Sequence, residues 1–139
     1  MKIFLYYIGR ARDQHANGFA DEFIKRTTRY CQCEMREIHP DRADIWTKHP
    51  SAAKILLDPA GRLLKSGQFI DLIAKAEMEG RDQVFLIGGH DGLPDAWKAR
   101  ADLLLSLSPM TFPHELARAM LAEQLYRAFT TLRGHPYPR

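Results

Sequence analysis

Short apolar runs alternate along this chain with segments of helical periodicity, and this alternation limits the fold more than any other feature. The runs cover residues 3–8, 52–59, 83–87 and 103–107, whereas residues 31–38 partly alternate apolar and polar side chains and are expected to form a strand nearer the sheet edge. Helical spacing of apolar residues occurs at 19–30, 66–79, 94–100 and 111–133. Strands that alternate with helices are typical of a mostly parallel sheet flanked by helices. The chain of 139 residues is therefore predicted to form a single α/β domain over residues 1–139.

The ends of several elements are predicted from residues that cap or break them. We expect the third strand to end at the Asp58-Pro59 pair. Ser66 is expected to cap the following helix, which Gly80 then ends. The last helix is predicted to begin near Thr111.

The carboxyl ends of the fourth and fifth predicted strands indicate a ligand site. The fourth strand stops at Gly88-Gly89, and the fifth runs into residues 106–115, just before the last helix. In open α/β sheets, ligands bind at the carboxyl ends of strands. The glycine pair allows a flat ligand to approach the backbone and permits a positive φ. Together the two junctions predict a pocket for a small nucleotide-like molecule that main-chain groups recognise.

Several classes of protein are excluded by patterns that the sequence lacks. It has no stretch of about 18 apolar residues, so no transmembrane helix is predicted. Residues 1–8 lack a small-residue cleavage site, so we interpret them as a strand rather than a signal peptide and expect a cytoplasmic protein. The sequence contains no P-loop and no G-x-G-x-x-G, H-E-x-x-H or G-x-S-x-G motif.

The two cysteines, Cys31 and Cys33, have C-x-C spacing. No second pair follows, and no nearby histidine completes a zinc pattern. Residues two apart on a strand share one face, which favours buried thiols over the alternative of a metal or redox site. No metal is therefore predicted.

The charge distribution permits an RNA partner without requiring one. The formal net charge is +3 and the isoelectric point is about 9.0. Basic residues cluster in two segments, namely Arg10, Arg12, Lys25, Arg26 and Arg29, and then Arg118, Arg127, Arg133 and Arg139. In the C-terminal tail, Tyr137 suits base stacking and Arg139 suits contact with a phosphate or a base. The alternatives are solvated helix faces and a frayed terminus.

Four segments of the sequence carry a resemblance to a known family. They read V-F-L-I-G-G-H-D-G-L at 84–93, L-S-L-S-P-M-T-F-P-H at 105–114, E-Q-L-Y-R-A at 123–128 and H-P-Y at 135–137. These motifs resemble those of the ribosomal RNA large subunit pseudouridine methyltransferase H (RlmH, formerly YbeA) family, and the resemblance covers essentially the whole chain. It implies a SPOUT-type α/β knot, with a trefoil knot at its C-terminal end. It also implies a homodimer that uses S-adenosyl-L-methionine to methylate N3 of a pseudouridine in the 23S rRNA of the ribosome.

The resemblance also implies roles for particular residues. The implied cofactor-binding residues are Leu57, Gly88, Leu107, Ser108, Pro109, Met110, Thr111 and Phe112. The implied catalytic residues are Tyr137, Arg139 and His135. Tyr137 would pack on the base, and Arg139 would favour the anion that develops as N3 loses its proton. Water, the terminal carboxylate and His135 all remain candidates for the proton acceptor.

Two departures from the family pattern affect these expectations. The chain is shorter than typical members between residues 38 and 51, so a helix there is expected to be reduced. Pro138 stands where the family often has histidine or another polar residue. The proline favours an alternative function, a non-catalytic RNA- or ribosome-binding dimer that retains the fold. The glycine pair and the loop at residues 108–114 favour the enzyme.

Overall fold

Five parallel strands form the centre of the computed structural model, which describes residues 1–138. The strands are β1 (Lys2–Ile8), β2 (Gln32–Ile38), β3 (Ala53–Leu63), β4 (Gln83–Ile87) and β5 (Leu103–Ser106). The helices are α1 (Gln14–Thr27), α2 (Ile45–Lys48), α3 (Ser66–Glu79), α4 (Asp95–Arg100) and α5 (His114–Leu132). The strand order is β2-β1-β4-β3-β5. The predicted α/β class with a mostly parallel sheet is therefore confirmed, and β2 lies at an edge as its partial alternation indicated.

Alternate residues of each central strand enter two different cores, as the two-residue period of a strand requires. In β4, Phe85 and Ile87 pack beneath α1, α3 and α5. Val84 and Leu86 pack on the opposite face, which α2, α4 and their loops cover. Every residue of β4 is buried, which explains why its sequence is a continuous apolar run.

Three predicted boundaries are wrong. β3 does not end at Pro59 but continues to Leu63, with a register shift against β5 that accommodates the proline. Ser66 is the first residue of α3 rather than its cap. The last helix begins at His114 rather than near Thr111. The residue before a proline is disfavoured in helical conformation, so Pro113 prevents an earlier start.

Two other expectations about local structure agree with the model. Gly80 ends α3 in the left-handed conformation, with φ of 65°. The shortened segment between β2 and β3 retains only the four-residue helix α2.

Candidate active site

A cavity of about 430 Å³ opens at the carboxyl ends of β4 and β5, beside residues 57–59 in the middle of β3. All of the predicted cofactor residues except Pro109 line this cavity, namely Leu57, Gly88, Leu107, Ser108, Met110, Thr111 and Phe112. Residues 50 positions apart in the chain meet here because parallel strands place their carboxyl ends at one edge of the sheet. We refer to this cavity as the strand-end pocket. The role of these residues in cofactor binding stays a prediction.

The glycine-rich turn after β4 forms one wall of the pocket and folds tightly on itself. A Cβ atom on Gly88 would lie 2.6 Å from the carbonyl carbon of Gly92, and one on Gly89 would lie 2.8 Å from the Ile8 oxygen. Neither Gly88 nor Gly89 uses the positive φ that glycine permits, whereas Gly92 in the same turn has a φ of 75°. The pair is required because backbone segments approach each other at this point.

The loop after β5 forms the facing wall and is shaped by two serines. The Ser106 hydroxyl donates to the Ser108 carbonyl at 3.0 Å, and the Ser108 hydroxyl accepts from the Met110 amide at 3.0 Å. Leu107 and Phe112 add apolar surface, whereas the Met110 side chain is 75% exposed. The pocket thus combines an apolar lining with main-chain polar groups, as the strand ends predicted.

Polar side chains at the pocket that the sequence analysis missed are Asp58, His90 and His114. Asp58 accepts a hydrogen bond from the Ala60 amide at 2.9 Å and lies 3.4 Å from the Lys98 ammonium group. His90 follows the end of β4 and His114 begins α5, and these positions were a signal that could have identified both residues. Asp58 lies within β3, at the point where the sequence analysis expected that strand to end.

The predicted catalytic tail lies far from the pocket of its own chain. Tyr137 is half-buried and meets Tyr126 edge-on, with 4.8 Å between ring centroids. His135 accepts a hydrogen bond from the Tyr137 amide at 3.1 Å. His114 and the tail stand at opposite ends of α5, whose nineteen residues span about 28 Å. Arg139 lies outside the described residues.

The predicted basic clusters are partly used within the fold. Arg118 is fully buried and lies over the Tyr7 ring, with its guanidinium carbon 3.5 Å from the ring centroid. The prediction that Arg118 lies on a solvated helix face or an RNA-binding surface is therefore wrong. Arg26 pairs with Glu22, Arg127 with Glu123 and Arg133 with Glu77. Arg10, Arg12, Lys25 and Arg29 are exposed and have no acidic partner among residues 1–138.

Glu115 links the first turn of α5 to the loop between β1 and α1. Its carboxylate accepts from the Arg12 amide at 2.6 Å, from the Asn17 side chain at 2.9 Å and from the Asp13 amide at 3.2 Å. These hydrogen bonds, with that from Arg12 contributing most, lower the pKa of Glu115 to about 2.

We expect the Glu115 carboxylate to make stability depend on pH in the acidic range. The pKa of Glu115 is lower in the folded protein than the ordinary value of 4.5. The ionised carboxylate therefore contributes its full stabilisation above pH 4.5, and this stabilisation is lost as the pH falls toward about 2. Glu115→Gln should therefore destabilise the protein at about pH 7 and much less at about pH 3. Urea unfolding of both proteins across this range measures the difference. A difference that is independent of pH would contradict the assigned ionisation.

The two cysteines are placed as buried thiols. Cys33 is buried and Cys31 is half-buried, and burial raises their pKa values to about 12 and about 11. Thiols of such high pKa are largely protonated at neutral pH and therefore weakly reactive. Within residues 1–138 no three His, Cys, Asp or Glu side chains are grouped to hold a metal ion, and no helix is long and apolar enough to cross a membrane.

Comparison with known proteins gives consistent matches over the whole chain. A family model described as "Predicted SPOUT methyltransferase" matches residues 1–138. The ribosomal RNA large subunit methyltransferase H of Solibacter usitatus (strain Ellin6076) is 68% identical over 139 residues, with both chains covered completely. The protein of the same name from Burkholderia multivorans is 40% identical, over 100% of this chain and 99% of that one.

Solved structures show the same fold at low sequence identity. A methylase family protein from Neisseria gonorrhoeae has a TM-score of 0.64 at 11% identity, with 91% of this chain and 82% of that chain covered. The SpoU methyltransferase AviRb from Streptomyces viridochromogenes, solved in complex with AdoMet, has a TM-score of 0.56 at 10% identity. That match covers 94% of this chain and 61% of AviRb.

Proposed function

Because this chain belongs to the SPOUT methyltransferase family, and within it to the ribosomal RNA large subunit methyltransferases H, we propose that it methylates N3 of a pseudouridine in 23S rRNA. We propose S-adenosyl-L-methionine as the methyl donor. The observation that carries the proposal is the strand-end pocket, into which the fold brings residues of three separate strands. The ribosome is then the partner and the cytoplasm the place of action. The trefoil knot stays a prediction of the family resemblance.

The pocket fits an adenosine-containing cofactor in both size and chemistry. Leu57, Leu107 and Phe112 offer apolar surface to a purine ring. Gly88 and Gly89 line the pocket, so the turn presents main-chain atoms rather than side chains to a ligand. Residues 107–112 form no helix or strand, so their main-chain groups other than the Ser108 carbonyl and the Met110 amide remain for the polar edges of the base and the ribose. These residues would hold the cofactor with no need of a metal ion.

When bound, S-adenosyl-L-methionine would supply an electrophilic methyl group for transfer to N3, with S-adenosylhomocysteine as the leaving thioether. The residues of the chain contribute by positioning, because oriented reactants can lower a barrier by roughly 7–11 kcal/mol in the best intramolecular cases. N3 must also lose its proton. We propose that Arg139 stabilises the developing anion and that Tyr137 packs on the base, with water, the terminal carboxylate or His135 as the proton acceptor.

The tail can contribute only if it comes from a second copy of the chain, because α5 separates it from the pocket of its own chain. We therefore propose a homodimer in which each pocket receives the tail of the partner. Apolar side chains available for such an interface are Leu116 and Met120, which are 44% and 40% exposed on α5. Phe19 on α1 is also 44% exposed.

The enzymatic proposal is tested by incubating the protein with ribosomes and S-adenosyl-L-methionine labelled in its methyl group, in the presence of a chelator. We expect the label in 23S rRNA, and mass spectrometry of digested nucleosides should place it on N3 of a pseudouridine. Calorimetry should show binding of the cofactor and of S-adenosylhomocysteine without metal. Binding to ribosomes without methyl transfer would instead support the alternative of a non-catalytic ribosome-binding dimer.

The dimer is tested by analytical ultracentrifugation at micromolar concentration, where we expect a dimer. Replacing both Leu116 and Met120 by glutamate should yield monomers, because charged groups are costly to bury at an interface. Met78→Glu is the matched control, since Met78 is 85% exposed on α3 and should remain exposed. A monomeric wild-type protein would contradict the dimer.

A further inference from the structure

The loop between β1 and α1, residues 9–13, contacts the glycine-rich turn of the strand-end pocket and the first turn of α5. At one end, Ile8 and Gly9 lie against the glycine-rich turn, where a Cβ on Gly9 would be 3.8 Å from the Gly89 Cα. At the other end, the Arg12 amide donates to Glu115, which directly follows the pocket residue His114. The loop is therefore part of the pocket rim, although none of its residues lines the cavity.

A buried cation fixes the far side of this loop. Arg118 donates through Nη1 to the Asn17 side chain, and Asn17 in turn donates to Glu115 at 2.9 Å. Nε and Nη2 of Arg118 are buried without a hydrogen-bond partner among residues 1–138. Leaving two donors of a buried guanidinium unsatisfied is costly. The contacts of Arg118 with Tyr7 in β1 and Asn17 in α1 join both elements to α5.

The same contacts leave the two arginines of the loop without intramolecular partners. The Glu115 carboxylate is occupied by main-chain amides and by Asn17. The Asp13 carboxylate caps α1 by accepting from the His15 and Ala16 amides at 2.9 and 3.1 Å. Both nearby acids are thus used by other groups. The guanidinium groups of Arg10 and Arg12 are exposed at the pocket rim, and no salt bridge engages them within residues 1–138.

We propose that Arg10 and Arg12 bind backbone phosphates of the substrate RNA next to the nucleotide that enters the strand-end pocket. Guanidinium groups suit this task because their planar arrangement of donors matches phosphate oxygens. Glu115, Asn17 and Arg118 act as positioning residues that fix the loop on the pocket rim. This inference rests on the proposed function and adds a site to it.

The variant that tests the inference is Arg10→Ala combined with Arg12→Ala. We expect its affinity for ribosomes to fall by about tenfold. The slope of log K against log salt concentration should become less steep by about 1.4 to 1.8, because two phosphate contacts are lost. Lys25→Ala combined with Arg29→Ala is the matched control, because it removes the same charge from exposed residues at the far end of α1. The control should bind nearly as the wild type does. Equal losses in both variants would reduce the effect to overall charge and overturn the inference.

The two arginines could bind either an RNA phosphate or the carboxylate of the cofactor. Calorimetry with S-adenosyl-L-methionine distinguishes these two anions. We expect unchanged cofactor affinity in the Arg10/Arg12 variant, and a weakened affinity would reassign the two arginines to the cofactor. If the wild type methylates ribosomes and the variant does so equally well, this inference fails while the proposed function stands. If the wild type itself neither binds nor methylates ribosomes, the proposed function fails and the inference fails with it.

Glu115→Gln tests the positioning role, because it leaves both arginines in place but weakens the hold on the loop. We expect a several-fold loss of ribosome affinity with nearly the wild-type salt slope, since the two phosphate contacts are loosened rather than removed. A purely structural role would lower thermal stability without changing ribosome affinity in the folded variant. That result would overturn the assignment of Glu115 as a positioning residue.

Discussion

Gly88→Val is expected to abolish binding of S-adenosyl-L-methionine and S-adenosylhomocysteine and, with it, all methyl transfer. The first atom of the new side chain would lie 2.6 Å from the Gly92 carbonyl carbon and 2.8 Å from its Cα, which is closer than real Cβ atoms approach other atoms. The turn that forms one wall of the pocket must therefore move. The direct cause is collision with the protein backbone rather than with the ligand, and calorimetry measures the loss of binding.

A smaller substitution and a matched glycine show whether this effect is local. Gly88→Ala already introduces the colliding Cβ and should weaken cofactor binding strongly. Gly67→Ala is the control, because nothing lies within 4 Å of a Cβ at that helical position. It should leave binding unchanged and stabilise the protein by roughly 0.4–1 kcal/mol.

The Gly88 variants must be shown to be folded by circular dichroism before binding is interpreted. Ala117→Phe provides a second route if they are unfolded. Residue 117 lines the pocket from α5, so a larger side chain there fills the cavity without forcing the glycine turn to move. Normal cofactor affinity in a folded Gly88→Val or Ala117→Phe protein would show that the cofactor binds elsewhere.

Deletion of residues 137–139 is expected to leave cofactor binding intact and to reduce methylation by roughly 100-fold or more, as loss of a group that stabilises developing charge commonly does. The deletion also removes a ring that packs on Tyr126 and Phe23, so a loss of stability of about 1 kcal/mol should accompany it. Single-turnover methylation of ribosomes and thermal unfolding measure the two effects.

Two point variants separate packing from chemistry within the tail. Tyr137→Phe keeps the aromatic packing and should retain stability. Arg139→Ala should lower the turnover rate more than the affinity for RNA, because its proposed partner is the developing anion. Wild-type methylation by the truncated protein would refute the proposed catalytic role of the tail.

Complementation between two inactive proteins tests whether the tail acts on the pocket of the partner. Ala117→Phe leaves the tail intact, whereas deletion of residues 137–139 leaves the pocket intact. Subunits of the two kinds, mixed under conditions that allow exchange, should form dimers with one complete site and recover part of the activity. No recovery in dimers shown to be mixed would contradict the proposal that the tail acts on the pocket of the partner.

Local patterns in the sequence were sufficient to predict most of the fold. The apolar run of β4 predicts a buried strand, and the glycine at position 80 predicts the end of a helix. The start of α5 was misplaced although the proline that prevents an earlier start, Pro113, is visible in the sequence. The continuation of β3 to Leu63 could not be predicted, because it depends on pairing with β5, about forty residues further along the chain.

The candidate site was predictable to the extent that its residues follow strand ends or match family motifs. Leu57 and residues 107–112 do converge with Gly88 at one pocket. The burial of Arg118 was not predictable, because an arginine at that helical position is usually exposed to solvent. The contact of Glu115 with the Arg12 amide joins residues 103 positions apart, and no local pattern indicates such a contact.

The bond between the Arg12 amide and Glu115 also has a consequence for how the protein matures. Synthesis proceeds from the N-terminus, so the β1–α1 loop leaves the ribosome long before the helix that anchors it. Contacts between residues so distant in sequence carry a large loop-closure entropy and form late in folding. The pocket rim is therefore completed only when almost the entire chain has emerged. A nascent or truncated chain that lacks α5 has an incomplete pocket, so binding of the proposed cofactor would report that folding is complete.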